Sequence, residues 1–236
     1  MTLEGLDEPV RRYFDHALHG DAERARGVRL EMKGRIRAGT WLPFTAQQES
    51  DGRSFTWRAR VGVGRLALLT VVDGFAAGTG ATEGRLFGRR RVLHSGGPDT
   101  SRSAAGRAAL EAVFAPMSLL PERGVSWRAE EEGLIVASLD IPPERPELRL
   151  CIDRDGAVRS VSALRWGNTG QREFGYIPCG CEVHAERRFG ALVVPSEVTV
   201  GWWFGTPEHA PFFRVRVEEL RPLSAARSAR SRGRAA

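Results

Sequence analysis

From Val28 to Arg37 the chain alternates: Val28, Leu30, Met32 and Ile36 share one parity, and Arg29, Glu31, Lys33, Arg35 and Arg37 share the other. Side chains on a strand point to opposite faces with a period of two, so this stretch predicts a strand with one dry and one wet face. The alternation returns at Phe55, Trp57, Ala59 and Val61 against Ser54, Thr56, Arg58 and Arg60. It returns again at Phe213, Val215 and Val217 against Arg214, Arg216 and Glu218. Parallel sheets are covered on both faces, so one-sided wetness predicts an antiparallel sheet.

The first element has a different period. Val10, Tyr13, Phe14, Ala17 and Leu18 form an i, i+3, i+4 stripe, with Asp7 as cap, Pro9 in the first turn and Gly20 as the closing residue. That pattern predicts a helix. Strands are then expected at about 27–37, 41–50, 54–61, 65–72 and 76–87, with turns at Ala38-Gly39, Asp51-Gly52, Val63-Gly64 and Asp73-Gly74. A loop at Ser95–Asp99 leads into a second helix over roughly 101–119, apolar at Ala108, Leu110, Ala112, Val113, Phe114 and Met117. Further strands are expected at about 125–131, 134–140, 147–153, 157–166, 180–189, 192–204 and 212–221, with Asp153-Arg154-Asp155-Gly156 as a hairpin turn. No linker interrupts the series. The pattern predicts an α+β domain, mostly β, over residues 1–221: one antiparallel sheet with an N-terminal and a central helix on its dry face. From Pro222 to Ala236 periodicity ends in a Ser, Ala, Arg and Gly stretch, which predicts a disordered tail.

At 236 residues and 42% hydrophobic composition, such a chain buries about 70–75% of its unfolded surface and needs no staples. Its three cysteines do not make a disulfide framework. No apolar run approaches the roughly 18 residues of a membrane span. The start, Met-Thr-Leu-Glu-Gly-Leu-Asp-Glu, lacks a signal peptide's apolar segment, so cytoplasmic residence is the expectation. The pI near 10.1 suggests nucleic acid. Yet five arginines (Arg221, Arg227, Arg230, Arg232 and Arg234) sit in a stretch without acids, and removing them takes the net charge from +6 to +1. Lys33 is the only lysine. A body so nearly neutral predicts no specific nucleic-acid binding.

Motifs for chemistry are sparse. Gly78-Thr79-Gly80-Ala81-Thr82-Glu83-Gly84 runs on into strand residues rather than opening a helix, so it lacks the free N–H groups of a phosphate loop. Cys179, Cys181 and His184 lack the second ligand pair of a closed zinc site, and His16 and His19 sit at a helix end where histidine is favourable anyway. No cofactor and no metal are therefore expected. No nucleophile motif occurs. Glu49, His184, Glu186 and Glu197 stay as candidates for an enzyme working at a cavity rim.

Aromatic residues are plentiful, and most stand at dry-face parity. Two helices cover only part of so broad an apolar surface. Either the sheet curls and the rings interdigitate as a core, or a greasy cavity is left. Arg89-Arg90-Arg91 is a candidate rim for such a cavity.

A set of phrases occurs in order along the chain: Leu6-x-x-Pro9-Val10-x-Arg12-Tyr13, Trp41-x-Pro43-Phe44-Thr45-Ala46-x-Gln48, Phe55-x-Trp57-x-Ala59-Arg60, Leu119-Leu120-Pro121 before Val125-x-Trp127, Phe189-Gly190-x-x-Val193-Val194-Pro195-x-Glu197-Val198, and Phe212-Phe213-Arg214. Over roughly residues 5–220 the chain thereby resembles an uncharacterised bacterial protein family, a domain of unknown function. The resemblance implies a large curved antiparallel sheet wrapped over its helices, similar to the half-barrel of outer-membrane lipoprotein carriers. It carries over no catalytic residue. The expectation is a non-enzymatic module holding a hydrophobic or amphipathic, lipid-like ligand in a concave apolar cavity lined by Trp41, Phe44, Trp57, Trp127, Trp166 and Trp202. The alternatives are an enzyme of unrecognised type and a scaffold whose core is filled.

Overall fold

A computed structural model describes residues 3–63, 66–170 and 173–224. Helix α1 (Glu8–Ala17) precedes six strands: β1 (Gly27–Ala38), β2 (Thr40–Ser50), β3 (Phe55–Val63), β4 (Leu66–Ala76), β5 (Thr79–Leu86) and β6 (Arg90–Ser95). Helix α2 (Pro98–Glu111) and short 3-10 turns follow. The chain ends in β7 (Ser126–Glu131), β8 (Leu134–Ser138), β9 (Glu147–Ile152), β10 (Val158–Gly167), β11 (Gly175–Phe189), β12 (Leu192–Trp202) and β13 (Ala210–Leu223). The strands form one antiparallel sheet in the order 6-5-4-3-2-1-13-12-11-10-9-8-7. The chain therefore enters the sheet at its middle, meanders to one edge, crosses to the other edge through α2, and meanders back until β13 pairs with β1.

That order forces curvature. Helix α2 packs on β4 and β5 and also on β10, although seven strands lie between β5 and β10 in the sheet. Neighbouring strands are about 4.8 Å apart, so a flat sheet separates those two by ~40 Å. One helix, about 10 Å across, touches both only if the sheet curls around it. Helix α1 does the same in the other wing, packing on β12, β7 and β8.

The central helix is shorter than its sequence suggests. It stops at Glu111 and passes through 3-10 turns at Ala112–Phe114 and Pro116–Leu119. Pro116 lacks the N–H needed to continue, its ring opposes the carbonyl four residues back, and Ala115 before it is forced out of the helical region to φ −127°, ψ 62°. Asp7 sits at the start of α1 but makes no side-chain cap; its Oδ2 accepts from the Ala129 N–H at 2.7 Å and ties the helix to β7. Asp73-Gly74 is not a turn. Both residues lie inside β4, and the hairpin turns at Ala77-Gly78, with φ of 49° and 76°, as a tight two-residue turn requires. Arg90–Ser95, which shows no clear alternation, forms the sixth strand, and β11 begins at Gly175 rather than 180. Strand β13 extends two residues past the expected boundary, pairing Pro222 with Val28 and Leu223 with Gly27. Residues 225–236 of the expected tail, and Gly64 of one expected turn, lie outside the described residues.

Candidate functional site

The two helices present different faces to the sheet. Helix α1 buries Val10, Tyr13 and Phe14 almost completely, and they meet Trp127, whose ring stands edge-on to Phe14 at 5.4 Å. Helix α2 buries mainly Ala104, Ala105, Ala108, Ala109 and Gly106. Small residues let the helix approach closely: a Cβ at Gly80 on β5 would lie 2.8 Å from Ala104 Cβ. They do not fill the hollow beside it. A cavity of about 390 Å³ remains between α2 and strands from both wings. A ligand pocket typically has ~300–1,000 Å³. Its walls are apolar: Met32, Leu42, Val71, Val198, Val200, Phe213 and Val215 from the sheet, Leu110 and Phe114 from above.

Into these walls is set one polar row. Strand pairing places Gln48 opposite Trp57, Trp57 opposite Asp73 and Asp73 opposite Thr82, so four adjacent strands carry them side by side. Helix α2 adds Arg107 and Glu111, which share with Leu110 and Phe114 an i, i+3, i+4, i+7 stripe facing the cavity. The Arg107 guanidinium binds Asp73 through Nη1 and Glu111 through Nε, the latter at 2.7 Å. Gln48 donates to the second oxygen of Glu111 at 2.9 Å, and Thr82 donates to the second oxygen of Asp73 at 2.7 Å. All four carboxylate oxygens thus accept a hydrogen bond. Burial works against the Arg107 charge, but Glu111 and Asp73 outweigh it and hold the guanidinium above its ordinary pKa. Its plane also lies over the Phe55 ring, 4.4 Å from the centroid. This network ties α2 to β2, β4 and β5.

On the other flank of α2, Arg165 of β10 also lines the cavity. Its stem runs against Gly106, where a Cβ would be 2.9 Å from Arg165 Cγ. Its Nε donates to the Ser103 carbonyl at 3.0 Å, and its guanidinium lies 4.9 Å from the Trp202 ring centroid. Cys181 lies on the same wall, and burial pushes its thiol up to about 12.

Of the six aromatic residues expected to line a cavity, the structure brings Trp57 to its wall. Its indole N–H is buried without a hydrogen-bond partner. Phe44 is buried behind the wall, stacked on Phe213 at 4.8 Å, and Trp202 lies behind Phe212 and Arg165. Trp41 shares the outward parity of β2 and lies beneath Arg214 at 4.7 Å. Trp127 belongs to the packing under α1, with its N–H donating to the Leu119 carbonyl at 2.8 Å. Trp166 sits beneath Arg102, 3.4 Å from the guanidinium carbon, and donates to Asp99.

The candidate enzyme residues do not converge. Glu49 pairs with Arg29, Glu197 with Arg216 and His184 with Thr199, at exposed or half-buried positions of the sheet. Glu186 accepts from the Val158 N–H at 3.0 Å and bonds His16 at 2.7 Å, beneath α1. Arg89, Arg90 and Arg91 are exposed at the β5–β6 turn. Among the described residues, no three His, Cys, Asp or Glu side chains are arranged to hold a metal ion, and no helix is long and apolar enough to cross a membrane.

Among solved structures, the chain is similar to a DUF1329 family protein from Desulfovibrio piger, with 11% identity, a TM-score of 0.46, and 91% of this chain and 90% of that one covered. It is also similar to a putative outer membrane lipoprotein-sorting protein domain from Vibrio parahaemolyticus, with 8% identity, a TM-score of 0.47 and 91% of both chains covered. No protein with a curated description matches it. Residues 4–221 match a family of unknown function, DUF6920, and the chain belongs to that family.

Proposed function

We propose that this protein is a non-enzymatic binding module that holds a hydrophobic or amphipathic, lipid-like molecule beneath α2. The observation that carries this reading is the apolar hollow of about 390 Å³ beneath α2, whereas the other wing buries Val10, Tyr13 and Phe14 beneath α1. Close packing is the rule for protein interiors, and a hollow of this size lined by Val, Leu, Met and Phe forgoes contacts that a ligand's hydrocarbon would supply. The polar row argues against catalysis. Each oxygen of Asp73 and Glu111 already accepts a hydrogen bond, and Arg107 holds both, so neither carboxylate is free to act as a base.

Titrating the delipidated full chain with straight-chain alcohols and acids of increasing length tests the reading, with tryptophan fluorescence as the signal. Each added methylene that enters the cavity contributes about 0.8 kcal/mol, or roughly fourfold in affinity, until the space is full. Trp57→Phe should abolish most of the fluorescence change, whereas Trp127→Phe should leave it intact. No saturable binding at any chain length would dispose of the proposal.

A further inference from the structure

Two arginines line the cavity, and their surroundings differ. Arg107 is fully engaged, with a carboxylate on either side. Arg165 has no carboxylate within 4.0 Å among the described residues. Its half-buried side chain is nonetheless held in place: Gly106 makes room for its stem, the Ser103 carbonyl takes its Nε–H, and Trp202 supports the face of its guanidinium. A guanidinium carries five N–H donors in a rigid fork, of which the Ser103 carbonyl uses one. A partly desolvated cation without a counter-charge is costly, and a bound anion would offset that cost.

We infer that the cavity's ligand carries an anionic head, a carboxylate or a phosphate, and that Arg165 receives it while the hydrocarbon lies against Val198, Val200 and Phe213. This rests on the proposal that the cavity takes an amphiphile, and it names the chemical class. Asp73 and Glu111 do not compete for Arg165, since Arg107 stands between them as their shared partner. Together with Arg107 and Arg165 they sum to zero net charge, and every oxygen of Asp73 and Glu111 already accepts a hydrogen bond. A cationic head therefore finds no free carboxylate, whereas an anionic head finds the free donors of Arg165.

The test holds the tail constant and varies the head. Dodecanoate, dodecyl phosphate, dodecanol and dodecyltrimethylammonium are titrated into the full chain by calorimetry, and again into Arg165→Gln. The two anions should bind the native chain at least about tenfold more tightly than dodecanol, as expected for a charge-assisted pair. Whichever anion is favoured identifies the source, a fatty acid or a phospholipid-type phosphate. In Arg165→Gln both anions should fall to the variant's own affinity for dodecanol, and an unaltered circular dichroism spectrum and urea midpoint show that the variant is folded. Equal binding of dodecanol and dodecanoate to the native chain would overturn the inference and leave the cavity proposal standing. So would an anion preference that survives Arg165→Gln. Failure of all four to bind would overturn both.

Discussion

The two wings of this sheet are built on one plan and finished differently. In one, α1 presses Val10, Tyr13 and Phe14 into the curl and the space is filled by side chains. In the other, α2 packs through alanine and glycine and the space stays open. The difference follows from side-chain volume on one helix face. A helix of small residues can sit as close to a curved sheet as a helix of large ones without reaching into its depth. Hydrophobic packing fixes α1, whereas an ion-pair network helps fix α2. One wing therefore serves stability, and the other gives up contacts to keep a hollow.

The largest effect should come from the filled wing. Phe14→Ala removes a fully buried ring from close packing and should cost about 3–5 kcal/mol in urea unfolding. Phe114→Ala removes the same ring from a wall that already borders empty space, so less contact is lost. It should cost at least ~1 kcal/mol less than Phe14→Ala. Equal costs would erase the distinction between the wings. Next in size is the network. Arg107→Met leaves Asp73 and Glu111 facing each other with no cation, in a site where all three side chains are less than a fifth exposed. A loss of about 3 kcal/mol is expected, the low end for removing one partner of a buried pair. Asp73→Asn should cost less, because Arg107 keeps Glu111.

The sequence made the framework plain and the site obscure, for physical reasons. Strands such as β1 and β3 have one dry and one wet face, and a period of two survives in the residue order. Curling and strand neighbours come from contacts far apart in sequence, and no local pattern encodes them. Trp57 was legible as a dry-face aromatic. Asp73 was hidden because Asp-Gly is a strong turn signal, overridden here by pairing on both sides of β4. Gln48 did leave a trace, a polar residue on the dry-face parity of Leu42, Phe44 and Ala46. Arg107 and Glu111 left another, an i, i+4 ion pair on the same stripe as Leu110 and Phe114. Tryptophan size was a poor guide to lining, since Trp127 fills the α1 wing and Trp41 lies on the wet face.

A smaller effect tests whether the hollow is dry. Cys181 is on its wall with a thiol pushed up to about 12, against an ordinary value near 9. Because the folded value is the raised one, the contribution is intact below pH 9. It declines above that, since the unfolded chain loses its proton first. Between pH 9 and 10 Cys181 should take about 1 kcal/mol from stability, and Cys181→Ala should remove that share while leaving the contribution of Cys179, whose thiol burial also raises. Exposed Cys151 should react with a thiol reagent at neutral pH, while Cys181 waits for unfolding. Prompt reaction at Cys181 would mean that water reaches the wall.

The smallest expected change in stability gives the sharpest comparison, because one strand serves both wings. On β12, Val194 is fully buried under α1 and Val200 borders the cavity under α2. The same substitution at each position adds the same volume to two different environments. Val194→Phe must push into close-packed neighbours and should cost about 1–3 kcal/mol. Val200→Phe has empty space to occupy and should change stability by less than ~0.5 kcal/mol, while reducing the affinity for dodecanoate by about tenfold or more. If Val200→Phe proves as damaging as Val194→Phe, the hollow is already occupied by neighbouring side chains. If it is harmless to both stability and binding, ligand and cavity are in different places. Only a neutral fold with lost binding fits a wing kept open for a guest.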